Sequence, residues 1–169
     1  VPLISALSSE PAMTEILFFH LDKKPLERAL PELLEKSLER GWRVVVEVGS
    51  EERRDALDAH LWTYSDESFL PHGTDKEAEP EAQPVLLTVG ASRANDANVR
   101  FLVDRAPLPE RAVIEAYQRV VYLFDGQDPD ALADARTAWR QAKAMGLAAQ
   151  YWAQNERGAW VKKDETKPA

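Results

Sequence analysis

Four residues on one stretch, Arg136, Trp139, Arg140 and Lys143, are spaced three to four apart in a segment whose pattern predicts a helix over 129–145. At ~100° per residue they form one stripe beside a second made of Ala131, Ala135, Ala138, Ala142 and Met145. Three cations and an indole thus share a face of a chain whose formal net charge is −8. Guanidinium forks hold carboxylates, and an indole beside them can shelter an aromatic group, so the chemistry on offer is docking of something anionic and partly apolar. The same spacing also fits a solvated helix face whose Trp139 covers the edge of the core.

Signals for catalysis are weaker. None of the seven glycines forms a Gly-x-Gly pair, and no Gly-Lys-Ser/Thr occurs. The turn Gly49-Ser50-Glu51-Glu52 sets two carboxylates where a phosphate would need bare backbone amides; they suit the helix dipole and repel an anion. His20, His60 and His72 do not share metal-ligand spacing. A set such as His72, Asp66 and Ser68 can be drawn from any serine-rich loop. A Rossmann-like enzyme or nucleotide-binding protein with an unrecognised site stays open as the alternative.

A different apolar signal lies at 61–72, Leu-Trp-Thr-Tyr-Ser-Asp-Glu-Ser-Phe-Leu-Pro-His, where a helix end passes into a loop. Loops seldom carry this much apolar surface. Trp62, Phe69 and Pro71 therefore belong either to core folded back on itself or to a face for another protein.

The elements that must position these residues alternate. Ile16–Leu21 is a short apolar run, the pattern of a buried strand. A helix starts at Pro25, presents Leu26, Leu30, Leu33, Leu34, Ser37 and Leu38 on one side, and ends at Gly41. Trp42–Val48 is a second strand, and Ser50 is the expected N-cap of a helix over 51–62. Residues 73–84 read as an acidic surface loop. Val85–Val89 and Val99–Val103 read as strands with a polar turn around Asn95-Asp96 between them. Arg119–Phe124 is another buried strand, and Leu147–Trp152 a last one. Strand–helix alternation at this spacing predicts a single Rossmann-like layered α/β domain with a mostly parallel sheet and no phosphate-binding loop.

The domain is expected over 13–163, with residues 1–12 an upstream extension or expression remnant and 164–169 a tail. At 169 residues the chain suffices for one core and is short for two. The absence of cysteine fits a reducing cytoplasm, and no apolar run approaches the ~20 residues of a membrane span. The negative charge opposes a general surface for nucleic acid, so little direct nucleic-acid binding is expected.

From Met13 to about Lys163 the chain resembles the chi subunit of bacterial DNA polymerase III. The resemblance is carried by Ile16–Leu21, by Leu57-Asp58-Ala59-His60-Leu61-Trp62 followed by Ser68-Phe69-Leu70-Pro71-His72, by Val120–Phe124, and by the helix bearing Arg136 and Trp139. It implies a non-catalytic, cofactor-free accessory of the clamp-loader assembly that grips the acidic, aromatic-ended C-terminal tail of single-stranded DNA-binding protein. Arg136 and Trp139 match the family's tail-binding Arg and aromatic. Arg140 and Lys143 match further basic positions, and Phe124 lies near an apolar residue lining that pocket. Trp62 and Phe69, beside Pro71, match a surface for a partner subunit called psi, or for a helicase. Two departures are the acidic loop 73–84 and the continuation Asn155–Trp160, which could add a strand or cover a face.

Overall fold

The computed structural model describes residues 13–167; the expectation for residues 1–12 lies outside them. Eight strands form one sheet: β1 (Glu15–Leu21), β2 (Val44–Val48), β3 (Gly73–Thr74), β4 (Val85–Thr88), β5 (Val99–Val103), β6 (Arg119–Asp125), β7 (Ala148–Gln154) and β8 (Trp160–Thr166). Their order is β3-β4-β2-β5-β6-β1-β7-β8, parallel throughout except for β8, which runs antiparallel to β7. The expected mixed α/β layered domain with a mostly parallel sheet is the architecture observed.

Helices α1 (Leu26–Glu39) and α2 (Glu51–Thr63) cover one face, and the short α3 (Arg111–Ile114) with α4 (Pro129–Ala144) covers the other. Alternate residues of β1 serve opposite cores: Leu17, Phe19 and Leu21 pack under α1, while Ile16 and Phe18 pack under α4. A strand buried on both faces needs apolar residues at every position, hence its continuous run. Ser50 caps α2 by accepting from the Arg53 amide at 3.2 Å, as its sequence position implies.

Pro31 lies inside α1 and cannot donate to the Glu27 carbonyl four residues back. The imidazole of His60, on α2, fills the gap, its Nε2 donating to that carbonyl at 2.7 Å. The defect in one helix thereby becomes a link to the next.

Two expectations need correction. Residues 73–84 are not wholly a surface loop. They open with the buried edge strand β3 and include a 3-10 turn at Pro80–Ala82. The strands at 85 and 99 and the polar turn between them are as expected, with β2 lying between the two strands in the sheet; Asn95 ties their connection down, its Nδ2 donating to the carbonyls of Val44 and Gln83. The strand at 148–154 is not the last. Asn155 builds a tight turn, its Oδ1 accepting from the amides of Arg157 and Ala159, and Gly158 supplies φ +79°. β8 then runs to Thr166, three residues past the boundary expected at 163, and its Trp160 packs edge-on to Phe19 at 5.4 Å. Among the described residues no helix is long and apolar enough to cross a membrane.

Candidate functional site

Helix α4 starts at Pro129, with Asp128 as N-cap accepting from the Asp130 amide at 3.0 Å. Ala131, Ala135, Ala138 and Ala142 are buried against the sheet, and their small side chains let the helix lie close over β6, β1 and β7. That seating turns Arg136, Arg140 and Lys143 to solvent and leaves Trp139 half-buried at the margin. The indole meets Phe18 edge-on at 5.3 Å and Tyr151 at 5.8 Å and 89°. Tyr151 comes from β7, where it pairs with Phe18 of β1.

The result is a groove of about 300 Å³ bounded by Arg136, Trp139, Arg140, Tyr151 and Asp164. Among the described residues Arg136 has no ion-pair partner, and Arg140 reaches only the Thr137 hydroxyl, at 3.3 Å. Asp134, the nearest acid on the helix, is taken up by Arg105 at 2.6 Å. Two guanidiniums therefore stand free beside an aromatic wall.

The wall is backed by further rings. Phe124 lies behind Tyr151 with centroids 5.9 Å apart, and His20 Nδ1 is 3.0 Å from the Tyr151 hydroxyl. Burial holds the His20 pKa below its ordinary value, against the raising effect of Asp22 and Asp125, with Arg136 adding to the decrease. Burial likewise raises the Tyr151 pKa. The His20 ring and the Tyr151 phenol share one hydrogen bond through Nδ1. Gly126 makes room for this ring, since a Cβ there would fall 1.7 Å from His20 Nε2.

The structure brings Arg136, Trp139 and Arg140 together in one groove. Lys143 is exposed on the next turn and does not line it, and Phe124 is buried behind it. Sequence reasoning passed over Tyr151 and Asp164. Tyr151 falls within a segment read as a strand, but only the β1–β7 pairing shows that it flanks Trp139. Asp164 lies past the boundary drawn for the domain.

The stretch 61–72 is part core and part exposed surface. Leu61 and Leu70 are core, whereas Trp62 is 51% and Phe69 74% exposed. Their ring centroids are 5.9 Å apart, and Trp62 stacks at 4.3 Å on His72. His72 is buried, with Nδ1 2.7 Å from the Leu70 carbonyl and Nε2 3.2 Å from the Asp58 carbonyl, which fixes the loop under the aromatic pair. Pro71 is half-buried beside it. Trp62, in the last turn of α2, and Phe69, on the pinned loop, thus form an exposed apolar patch.

A larger crevice, about 510 Å³, opens at the carboxyl ends of β1 and β6, where helices leave to opposite faces of the sheet. Open α/β sheets commonly bind ligands at such a point. Here Asp22, Asp104, Asp125 and Asp128 line it. Of its cations, Arg53 is engaged by Asp104 and Glu27, Arg105 by Asp134, and Lys24 by Glu32. Lys23 donates to the Glu156 carbonyl, so each of these cations is engaged, while Asp22, Asp125 and Asp128 carry no cation among the described residues; that balance opposes a phosphate. Among the described residues no three His, Cys, Asp or Glu converge to hold a metal.

A protein-family model described as "DNA polymerase III chi subunit, HolC" matches residues 13–150. "DNA polymerase III subunit chi" of Pseudomonas aeruginosa is 30% identical over 118 residues, covering 70% of this chain and 79% of that protein. "Probable DNA polymerase III subunit chi" of Rickettsia prowazekii is 23% identical over 117 residues, covering 67% of this chain and 71% of the relative.

Proposed function

The chain belongs to the DNA polymerase III chi subunit family, and we propose that it is a non-catalytic accessory linking the clamp-loader assembly, in the cytoplasm, to single-stranded DNA-binding protein. The observation that carries this reading is the groove: two guanidiniums without ion-pair partners among the described residues flank the Trp139–Tyr151 wall, on a chain of net charge −8. An acidic peptide ending in an aromatic residue complements it. Arg136 holds the terminal carboxylate, Trp139 and Tyr151 shelter the ring with Phe124 behind them, and Arg140 and Lys143 attract the acids upstream. The Trp62–Phe69 patch with Pro71 is the surface for a psi subunit or a helicase, in keeping with its exposure where a helix end meets a pinned loop. The carboxylates of the crevice favour this reading over a nucleotide-using enzyme.

The test is a titration of a fluorescent acidic peptide ending in Phe. Wild type should bind it, more weakly as salt is added, because the outer cations act by steering. Deleting the terminal Phe should cost more than neutralising one aspartate. Arg136→Ala should weaken binding about tenfold or more, the scale of a lost charge-assisted contact. Wild-type affinity for Arg136→Ala at low salt would place the site elsewhere.

A further inference from the structure

Strand β8 lies outside the stretch that the family model matches, 13–150, and it carries one carboxylate into the groove. Directly opposed residues of an antiparallel pair project to the same face of the sheet. Leaving the hairpin turn, Gln154 opposes Trp160, Ala153 opposes Val161 and Trp152 opposes Lys162. In unbroken register the next pair would set Lys163 against Tyr151, a third cation beside Arg136 and Arg140. Instead the ladder shifts between Tyr151 and Trp152, Lys163 becomes the extra residue, and Asp164 stands opposite Tyr151. A bulge re-aims the side chains beyond it. Glu165 then opposes Gln150 on the other face, where it pairs with Lys162 at 3.2 Å.

We propose that Asp164 is a specificity-determining residue of the groove. Its carboxylate opposes anionic ligands, so that charge alone does not secure binding and the aromatic anchor decides. The inference rests on reading the groove as the site of an acidic, aromatic-ended peptide, and it deepens that reading. Asp164 is exposed and has no ion-pair partner among the described residues; its Oδ1 accepts from the Glu165 amide at 2.8 Å. It offsets the field of Arg136 and Arg140 without being consumed by either. A like charge across a half-open groove is worth about three- to tenfold in affinity at low salt, and less once the Debye length falls below the groove's width. Rejecting poorly matched partners through a repulsive element is a common route to specificity.

The experiment titrates the fluorescent acidic, Phe-ended peptide against the full chain and three variants. Asp164→Asn should bind about three- to tenfold tighter at low salt, with the gain shrinking as salt is added. Asp164→Lys, which restores the charge that the unbulged register would place there, should bind tighter still. Glu165→Gln removes the same net charge from the opposite face and should stay within about twofold of wild type. Unchanged thermal melting of the variants ties these differences to the groove. If wild type binds and Asp164→Asn binds no better, or if Glu165→Gln gains as much, Asp164 has no such role while the peptide site stands. If neither wild type nor the Asp164 variants bind, the peptide site falls and the inference with it.

Discussion

Trp139 serves the core and the groove at once, and Trp139→Ala should separate it from its neighbours on the helix. A Trp side chain can bury ~150–250 Å²; taking about 100 Å² for this half-buried one, truncation forfeits about 2.5 kcal/mol at ~25 cal/mol per Å². The edge-on contacts with Phe18 and Tyr151 add about 0.5–1.5 kcal/mol each, partly overlapping that area. The expected loss of stability is therefore about 2–4 kcal/mol, which leaves most of the population folded if the domain has ordinary stability. Arg136→Ala, an exposed truncation, should stay within about 0.5 kcal/mol of wild type. Both variants should lose peptide affinity, so the pair distinguishes a wall residue from a charge at the mouth. Chemical denaturation followed by far-UV circular dichroism gives the stability, and peptide titration at a temperature where both are folded gives the binding. If Trp139→Ala unfolds at the wild-type midpoint, the indole is not seated as described. If it binds peptide like wild type while folded, Trp139 is core alone.

Phe69→Ala should leave folding intact, because the ring is 74% exposed, yet weaken a psi-like or helicase partner by ~2 kcal/mol, the scale of an aromatic anchor. Pull-downs and calorimetry with each such partner check this, and unchanged affinity for all of them would return Phe69 to ordinary surface. Glu47→Gln should destabilise by about 3 kcal/mol, because it leaves the fully buried Arg100 guanidinium without its carboxylate. The loss should fall at the low end of such cases, since Arg100 keeps the Gly90 and Ser92 carbonyls and the Tyr117 hydroxyl. A denaturation midpoint within 1 kcal/mol of wild type would contradict it.

The fold was legible wherever burial constrains both faces of a strand. β1, β2, β5 and β6 announce themselves as largely apolar runs because most of their residues meet one core or the other. β3 was invisible because two residues, Gly73 and Thr74, carry no periodicity. β8 was hidden by its charge: Lys162-Lys163-Asp164-Glu165 resembles a solvated tail, and the strand forms because the edge of β7 offers a row of unpaired backbone groups. Charged side chains of this kind suit an edge strand. The buried pair Glu47–Arg100 was not legible, since spacing alone does not show that two charges on separate strands meet. Arg136, Trp139 and Arg140 were legible because helical spacing alone places them together. Tyr151 was not, because its neighbours are set by a parallel pairing across more than a hundred residues.

The two candidate surfaces stand in a relation that suits a linking role. The groove is built on α4, over the face that holds Phe18 and Tyr122, toward the β1-β7-β8 end of the sheet. The Trp62–Phe69 patch ends α2, over the opposite face, near β3 and β4 at the other end. A packed, mostly parallel sheet lies between them. No residue described for one surface touches the other, so occupation of either leaves the other sterically open. Sites this far apart with no shared side chains should act additively. A protein that holds two partners at once needs that independence more than it needs coupling. On the proposed reading, the sheet supplies it by keeping the charged groove and the apolar patch on separate faces of one domain.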